Sequence, residues 1–210
     1  MDGDLSIGVD VGTSGVGVVA LDRDGRRIAH ADHPVPLATP RPGWTEQDPE
    51  DWVAAAEAGL REVAKAVGAE RVAAIGLSGQ MHGMVALDAE DRVVRPALLW
   101  NDQRTGAAVD AITRAVGRAR LIERTGNPAI TGFQLPKVVW LRATEPDAFA
   151  RTRRILLPKD HVGFRLTGEA VAEPSDASGT GLYHLASGAW DAEVLAALDL
   201  DPGLWPRLVR

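Results

Sequence analysis

Leu5, Ile7, Val9 and Val11 alternate with Ser6, Gly8 and Asp10, a period of two that predicts a strand with one apolar face. The strand runs into Gly12-Thr13-Ser14-Gly15, where the glycines predict a tight turn with positive-φ geometry. Val16 to Leu21 is apolar and β-branched again, so the turn joins two strands in a hairpin. Asp22-Arg23-Asp24-Gly25 signals a second hairpin turn, with Arg26 to Val35 as the third strand. Pro34, Pro36, Pro40 and Pro42 then mark an extended segment that excludes helix.

The period changes at Asp48-Pro49-Glu50-Asp51, which supplies an Asx N-cap, a proline at the first helical position and acids against the positive dipole end. Trp52, Ala56, Leu60, Val63 and Val67 follow at helical spacing, and Gly68 ends the helix. Val72 to Leu77 reads as a buried strand, broken at Ser78 to Gly83 and resumed from Met84 to Leu87. Asp88 to Asp91 turns the chain, and Val93 to Trp100 returns as a strand. Helices are expected over Thr105 to Val116, Gln134 to Ala143, Asp160 to Leu166 and Ala192 to Leu198, with a short strand at Ile155 to Leu157. The rest of Glu173 to Arg210 is turn-rich, and no linker or low-complexity tract divides the chain. The expectation is a single α/β domain of 210 residues.

Composition narrows the function classes more than the fold. A net charge of −6 argues against nucleic acid or an anionic membrane as partner. With no cysteine, disulfide scaffolds and thiol chemistry are excluded. The start, Met1-Asp2-Gly3-Asp4, is acidic, the wrong sign for a signal peptide, and no apolar run approaches membrane-spanning length. A soluble, cytoplasmic protein is the expectation.

Four places carry candidate chemistry. Asp10 stands at the end of the first strand, facing a turn of backbone N–H groups and the hydroxyls of Thr13 and Ser14. That combination suits a metal-bound phosphate, with Asp10 accepting from Mg²⁺ or its waters; a plain hairpin whose acid falls at a turn fits equally well. There is no Gly-Lys-Ser/Thr segment, which excludes a P-loop, and Gly15-x-Gly17-x-x-Ala20 leads into strand material where a dinucleotide fingerprint needs a helix. In Gly79-Gln80-Met81-His82-Gly83, polar Gln80 and His82 flank an apolar Met81 between glycines. This mixture suits a sugar, with polar groups for hydroxyls and an apolar face for the C–H side; a histidine satisfied by backbone in a glycine-rich bulge is the alternative. Asp102 and Arg104 in Trp100-Asn101-Asp102-Gln103-Arg104 read either as ligands or as a helix cap with a solvated ion pair. Pro174 to Thr180 is a small-residue loop with three hydroxyls and an acid, in sequence terms an Asx-turn.

Six segments, taken in order, resemble one family: Ile7 to Gly15 (IGVDVGTSG), Trp44 to Pro49 (WTEQDP), Gly79 to Gly83 (GQMHG), Trp100 to Arg104 (WNDQR), Leu157 to Asp160 (LPKD) and Ser175 to Thr180 (SDASGT). The chain resembles the N-terminal domain of FGGY carbohydrate kinases over nearly its whole length, and the Gln-Met-His-Gly element points to the xylulokinase branch. The resemblance implies a ribonuclease H-like, actin-like ATPase domain with a mixed central sheet flanked by helices. It implies ATP and Mg²⁺ as cofactors and phosphorylation of D-xylulose to D-xylulose 5-phosphate. Asp10 would position the Mg²⁺–ATP phosphates as the catalytic carboxylate, with Gly12, Thr13 and Ser14 near the γ-phosphate. Met81 and His82 match sugar-contacting positions, joined here by Gln80, Asp102 and Arg104. On this footing Asp10 and His82 are expected to share a groove.

Two departures stand out. This branch commonly carries a lysine where the chain has Gly17, which removes a cation near the phosphates. The family's catalytic base, an Asp in a Gly-Gly-Gly-Asp-Asn segment of a second, C-terminal domain, has no counterpart in this sequence. That domain is the expected partner besides the sugar, and the chain alone is expected to be inactive. A homodimer is compatible with a sequence that carries no signal for oligomeric state. Another sugar or sugar acid as substrate, or a non-catalytic sugar-binding module, are the competing expectations.

Overall fold

The computed structural model describes residues 3–209. In chain order the first half contains β1 (Leu5–Val11), β2 (Gly15–Leu21), β3 (Arg27–Pro34), β4 (Glu46–Gln47), α1 (Pro49–Val67), β5 (Val72–Gly79), β6 (Val85–Leu87) and β7 (Ala97–Leu98). The second half adds α2 (Gly106–Val116), α3 (Arg118–Thr125), α4 (Gln134–Thr144), α5 (Pro146–Arg151), β8 (Arg154–Leu156), α6 (Pro158–Thr167), β9 (Val171–Ala172), α7 (Pro174–Ala177) and α8 (Ala192–Ala197). Short pairings Tyr183–His184 with Ala189–Trp190, and Arg207–Leu208 with β9, close the chain.

The central sheet is mixed and runs β3-β2-β1-β5, antiparallel through the two hairpins and parallel between β1 and β5. The period-two pattern of β1 is realised: Leu5, Ile7, Val9 and Val11 are buried, while Ser6 and Asp10 face outward. Helix α1 covers the buried face together with α6, its Asp48 cap accepting from the Glu50 amide and Gly68 closing its end as the sequence predicts. Two cores result. One lies between the sheet, α1 and α6; the other gathers α2, α4, α8 and the strands β6 and β8 around Ile112, Leu141 and Ile155. No helix among the described residues is long and apolar enough to cross a membrane.

Several expectations are corrected. Strand β5 forms, but it is the sheet edge rather than a buried strand: Ala73 to Gly76 are exposed, Ile75 by 52%. Gly12 and Gly15 do not adopt positive φ; their missing side chains serve close approach instead. A Cβ on Gly12 would meet the Gly15 carbonyl oxygen at 2.9 Å, and one on Gly15 the His33 carbonyl oxygen at 2.7 Å. Val93 to Trp100 is not a continuous strand; it meets the Met84 to Leu87 segment at single bridges, Leu87 with Val93 and Met84 with Leu98, while Ala97–Leu98 pair on the other side with Gln47 and Glu46. The loop expected at Ser175 to Thr180 is a helical turn, because the Glu173 carboxylate accepts from the amides of Ser175 and Asp176 and caps it. Met1, Asp2 and Arg210 lie outside the described residues.

Candidate active site

Asp10 ends the polar face of β1, opposite Gly17 on β2 and beside Ser78 on β5. Among the described residues its carboxylate takes part in no hydrogen bond or ion pair, and it lines open grooves with Ser14, Gly17, Asp32 and Ser78. A hard, unengaged oxygen pair of this kind is what a hydrated magnesium ion takes. At position 17 there is no room to spare: a Cβ would come 3.3 Å from Asp32 Oδ1 across the strand pair. The basic side chains on this groove come instead from β3, Arg27 and His30.

In the following turn the amides of Thr13 and Ser14 have no hydrogen bond to protein among the described residues, so two donors of the expected phosphate cradle are free. The hydroxyls divide. That of Ser14 is free, whereas Thr13 Oγ1 donates to Gln80 Oε1 at 3.0 Å and accepts from Trp100 Nε1 at 3.1 Å. Gln80 is held at both ends, since its Nε2 donates to Gln47 Oε1 at 3.2 Å. Gln47, itself 2% exposed, donates to the carbonyls of Thr13 and Pro36 and accepts from Trp52 Nε1. Its amide therefore satisfies four partners from four parts of the chain.

Beyond Gln80, the loop after β5 places His82 at φ 66, the left-handed region that residues with a Cβ seldom occupy. The imidazole stacks on Phe133, with centroids 4.7 Å apart and an interplanar angle of 9°. Its Nδ1 is 2.6 Å from the Gly179 carbonyl oxygen. A carbonyl only accepts, so Nδ1 carries the proton, and in the neutral ring Nε2 is then the acceptor. Gly179 is glycine because a Cβ there would meet the ring at 2.6 Å. Met81, 38% exposed, presents an apolar surface beside it.

The turn that carries Gly179 is anchored by charge. Lys159 Nζ is 2.6 Å from Asp160 Oδ1 and 3.3 Å from Asp176 Oδ2. Burial pushes Asp160 up to about 6 against the pull of Lys159, and raises Asp176 for the same reason. Burial opposes the charge of Lys159 too, but the surrounding carboxylates outweigh it and hold its pKa above the ordinary lysine range.

Asp102 and Arg104 are brought together, yet not on an open surface. Their side chains are 0% and 1% exposed. Arg104 Nε and Nη2 contact both Asp102 oxygens, Nη1 donates to Glu46 at 2.7 Å, and the guanidinium lies 3.7 Å above the Trp44 ring. Asp102 Oδ2 also accepts from the Thr45 amide at 2.7 Å. Both acids and the cation are enclosed by protein, which corrects the expectation of a solvated pair.

Two grooves that Asp10 lines are bounded by residues of β1, β2, β3 and β5, with His82 outside both. What joins the two loops is the contact between Thr13 and Gln80. Sequence reasoning also passed over Phe133, Gln47 and Lys137. Lys137 carried a signal, a lysine set among Leu135, Val138, Val139 and Leu141 in a helix that buries nearly every side chain.

The description "FGGY family of carbohydrate kinases, N-terminal domain" matches residues 5–210. A xylulose kinase of Escherichia coli (strain K12) is 39% identical over 204 residues, 97% of this chain and 42% of that protein. A xylulose kinase structure from Rhodospirillum rubrum superposes with a TM-score of 0.93 at 29% identity, covering 98% of this chain and 43% of that one. A gluconate kinase structure from Lactobacillus acidophilus gives 0.92 at 26% identity, covering 98% and 42%. The chain thus spans about two fifths of the length of the relatives it matches.

Proposed function

The chain belongs to the FGGY family of carbohydrate kinases, and from that premise we propose that it is the N-terminal, sugar-binding domain of an ATP-dependent kinase that phosphorylates D-xylulose to D-xylulose 5-phosphate. The observation that carries this reading is the fixed imidazole of His82, beside exposed Met81 and two residues from Gln80, whose side-chain amide holds the turn at Thr13. A sugar hydroxyl would donate to His82 Nε2 while its C–H face rests on Met81. Asp102 and Arg104 act through the wall behind the site, bracing Thr45 and Glu46.

Phosphoryl transfer asks for positioning and charge stabilisation more than covalent chemistry. The free amides of Thr13 and Ser14 and the Ser14 hydroxyl are donors for phosphate oxygens, and Asp10 would hold hydrated Mg²⁺, which when bound offsets the charge of the nucleotide's phosphates. The carboxylate that takes the hydroxyl proton is assigned to a second, C-terminal domain, so residues 1–210 are expected to bind sugar without turnover.

A sugar acid is the second reading, favoured by the equal superposition on the gluconate kinase. Calorimetric titration of the chain with D-xylulose, D-ribulose, glycerol and gluconate tests both. D-xylulose as the tightest ligand supports the first reading, gluconate as the tightest supports the second, and binding of none overturns both.

A further inference from the structure

The first turn of α4 grips the His82 loop at several points. Lys137 is fully buried. Its Nζ donates to the carbonyl oxygens of His82 and Phe133, each at 3.0 Å, and to that of Gly132. An ammonium has three N–H donors, and here all three end on backbone oxygens of two separate loops. Gln134 adds a bond from Nε2 to the Gly83 carbonyl at 3.2 Å, and the Phe133 ring supplies the stacking surface for the imidazole.

This arrangement is costly. Burial pushes the Lys137 ammonium down to about 7; Asp102 favours its charge and Arg104 opposes it. No carboxylate contacts it among the described residues. Methionine would fill similar space without that cost, but could not draw three carbonyls to one point. One of those carbonyls belongs to the residue whose backbone is held at φ 66, a conformation that persists only where its surroundings enforce it.

We propose that Lys137 is a positioning residue of the sugar site: by tying the His82 carbonyl to those of Gly132 and Phe133, it holds the imidazole with Nδ1–H on Gly179 and Nε2 free to accept. The sugar's part in this rests on the function proposed above; the effect on the ring does not.

The test is Lys137→Met in this chain, read by ¹⁵N NMR of the imidazole and by calorimetry with D-xylulose. In the wild type the His82 nitrogens should report one tautomer, protonated at Nδ1. In the folded variant they should move toward the average of two tautomers, with D-xylulose affinity falling at least tenfold. A folded variant with unchanged ring signals overturns the proposal. Altered ring signals in a chain whose wild type ignores D-xylulose uphold the positioning role and overturn the substrate reading instead. If Lys137→Met does not fold, the wild type decides: ring ¹⁵N signals of a single neutral tautomer protonated at Nδ1 uphold the proposal, and signals at the average of two tautomers refute it.

Discussion

Thr13 donates its hydroxyl proton to the Gln80 side-chain carbonyl across 3.0 Å, so the turn after β1 and the loop after β5 are one hydrogen-bonded unit. The backbone repeats the link, with the Gln80 amide donating to the Val11 carbonyl at 2.8 Å. Parallel pairing of β1 with β5 brings the ends of these strands level, Val11 opposite Gly79, and everything that follows each strand is placed by that register. The candidate phosphate loop and the candidate sugar loop are thus neighbours by register, and Gln47 of β4 bridges them.

The side-chain link should be measurable as a coupling energy. Thr13→Val and Gln80→Leu, separately and together, are expected to be non-additive in stability by about 1 kcal/mol, the net worth of a part-buried hydrogen bond. Urea unfolding of the four chains checks this. Strict additivity would mean that the two loops are held independently.

Arg104 is placed as a brace, and its replacement should read as one. Arg104→Lys loses the two-pronged contact with Asp102 and the stack on Trp44, leaving a buried carboxylate part-unpaired at a cost of about 3 kcal/mol. Lower urea resistance is the expected result. Unchanged stability with lost sugar binding would instead make Arg104 a direct ligand.

Acid should act through His161. Its side chain is wholly buried, and burial, helped by Arg165 and opposed by Asp48, pushes its pKa down from 6.5 to about 4. The native state therefore refuses a proton that the unfolded chain accepts. Stability from this group is complete above pH 6.5 and is lost as the pH falls toward 4, by up to about 3 kcal/mol. Between pH 7.5 and 4.5 the unfolding free energy of the wild type should fall relative to that of His161→Leu. Parallel profiles would remove His161 from the acid response.

The elements that repeat their pattern within themselves were legible in the sequence. The alternation in β1, the Asp48-Pro49 start and the apolar stripe of α1 each fix a local shape and the face it buries. What failed depended on neighbours far along the chain. The apolar run of β5 looks the same whether a second layer covers it or it forms an edge. Helix α3 hides because only Leu121 and Thr125 are buried in it, too few to make a stripe. The Glu173 cap was missed because glutamate is outside the usual N-cap set.

In the candidate site the residue types were legible and their engagements were not. Glycines around His82 announced a close approach, but the partner, Gly179, is 97 positions away. Asp102 and Arg104 stand two positions apart in sequence, and nothing local reveals that Trp44 and Glu46 enclose them. The groove expected between Asp10 and His82 came from the resemblance, and no local pattern announces the contact that joins the two loops, Thr13 with Gln80, 67 positions apart.

The sugar-binding role of His82 underlies the whole account, and one comparison tests it most directly: D-xylulose titrated calorimetrically into the wild-type chain and into His82→Ala, with thermal melts alongside. The account predicts saturable binding to the wild type and an affinity at least tenfold weaker in His82→Ala, whose melt still shows a cooperative folded chain. Equal D-xylulose affinity in the two folded proteins would contradict it.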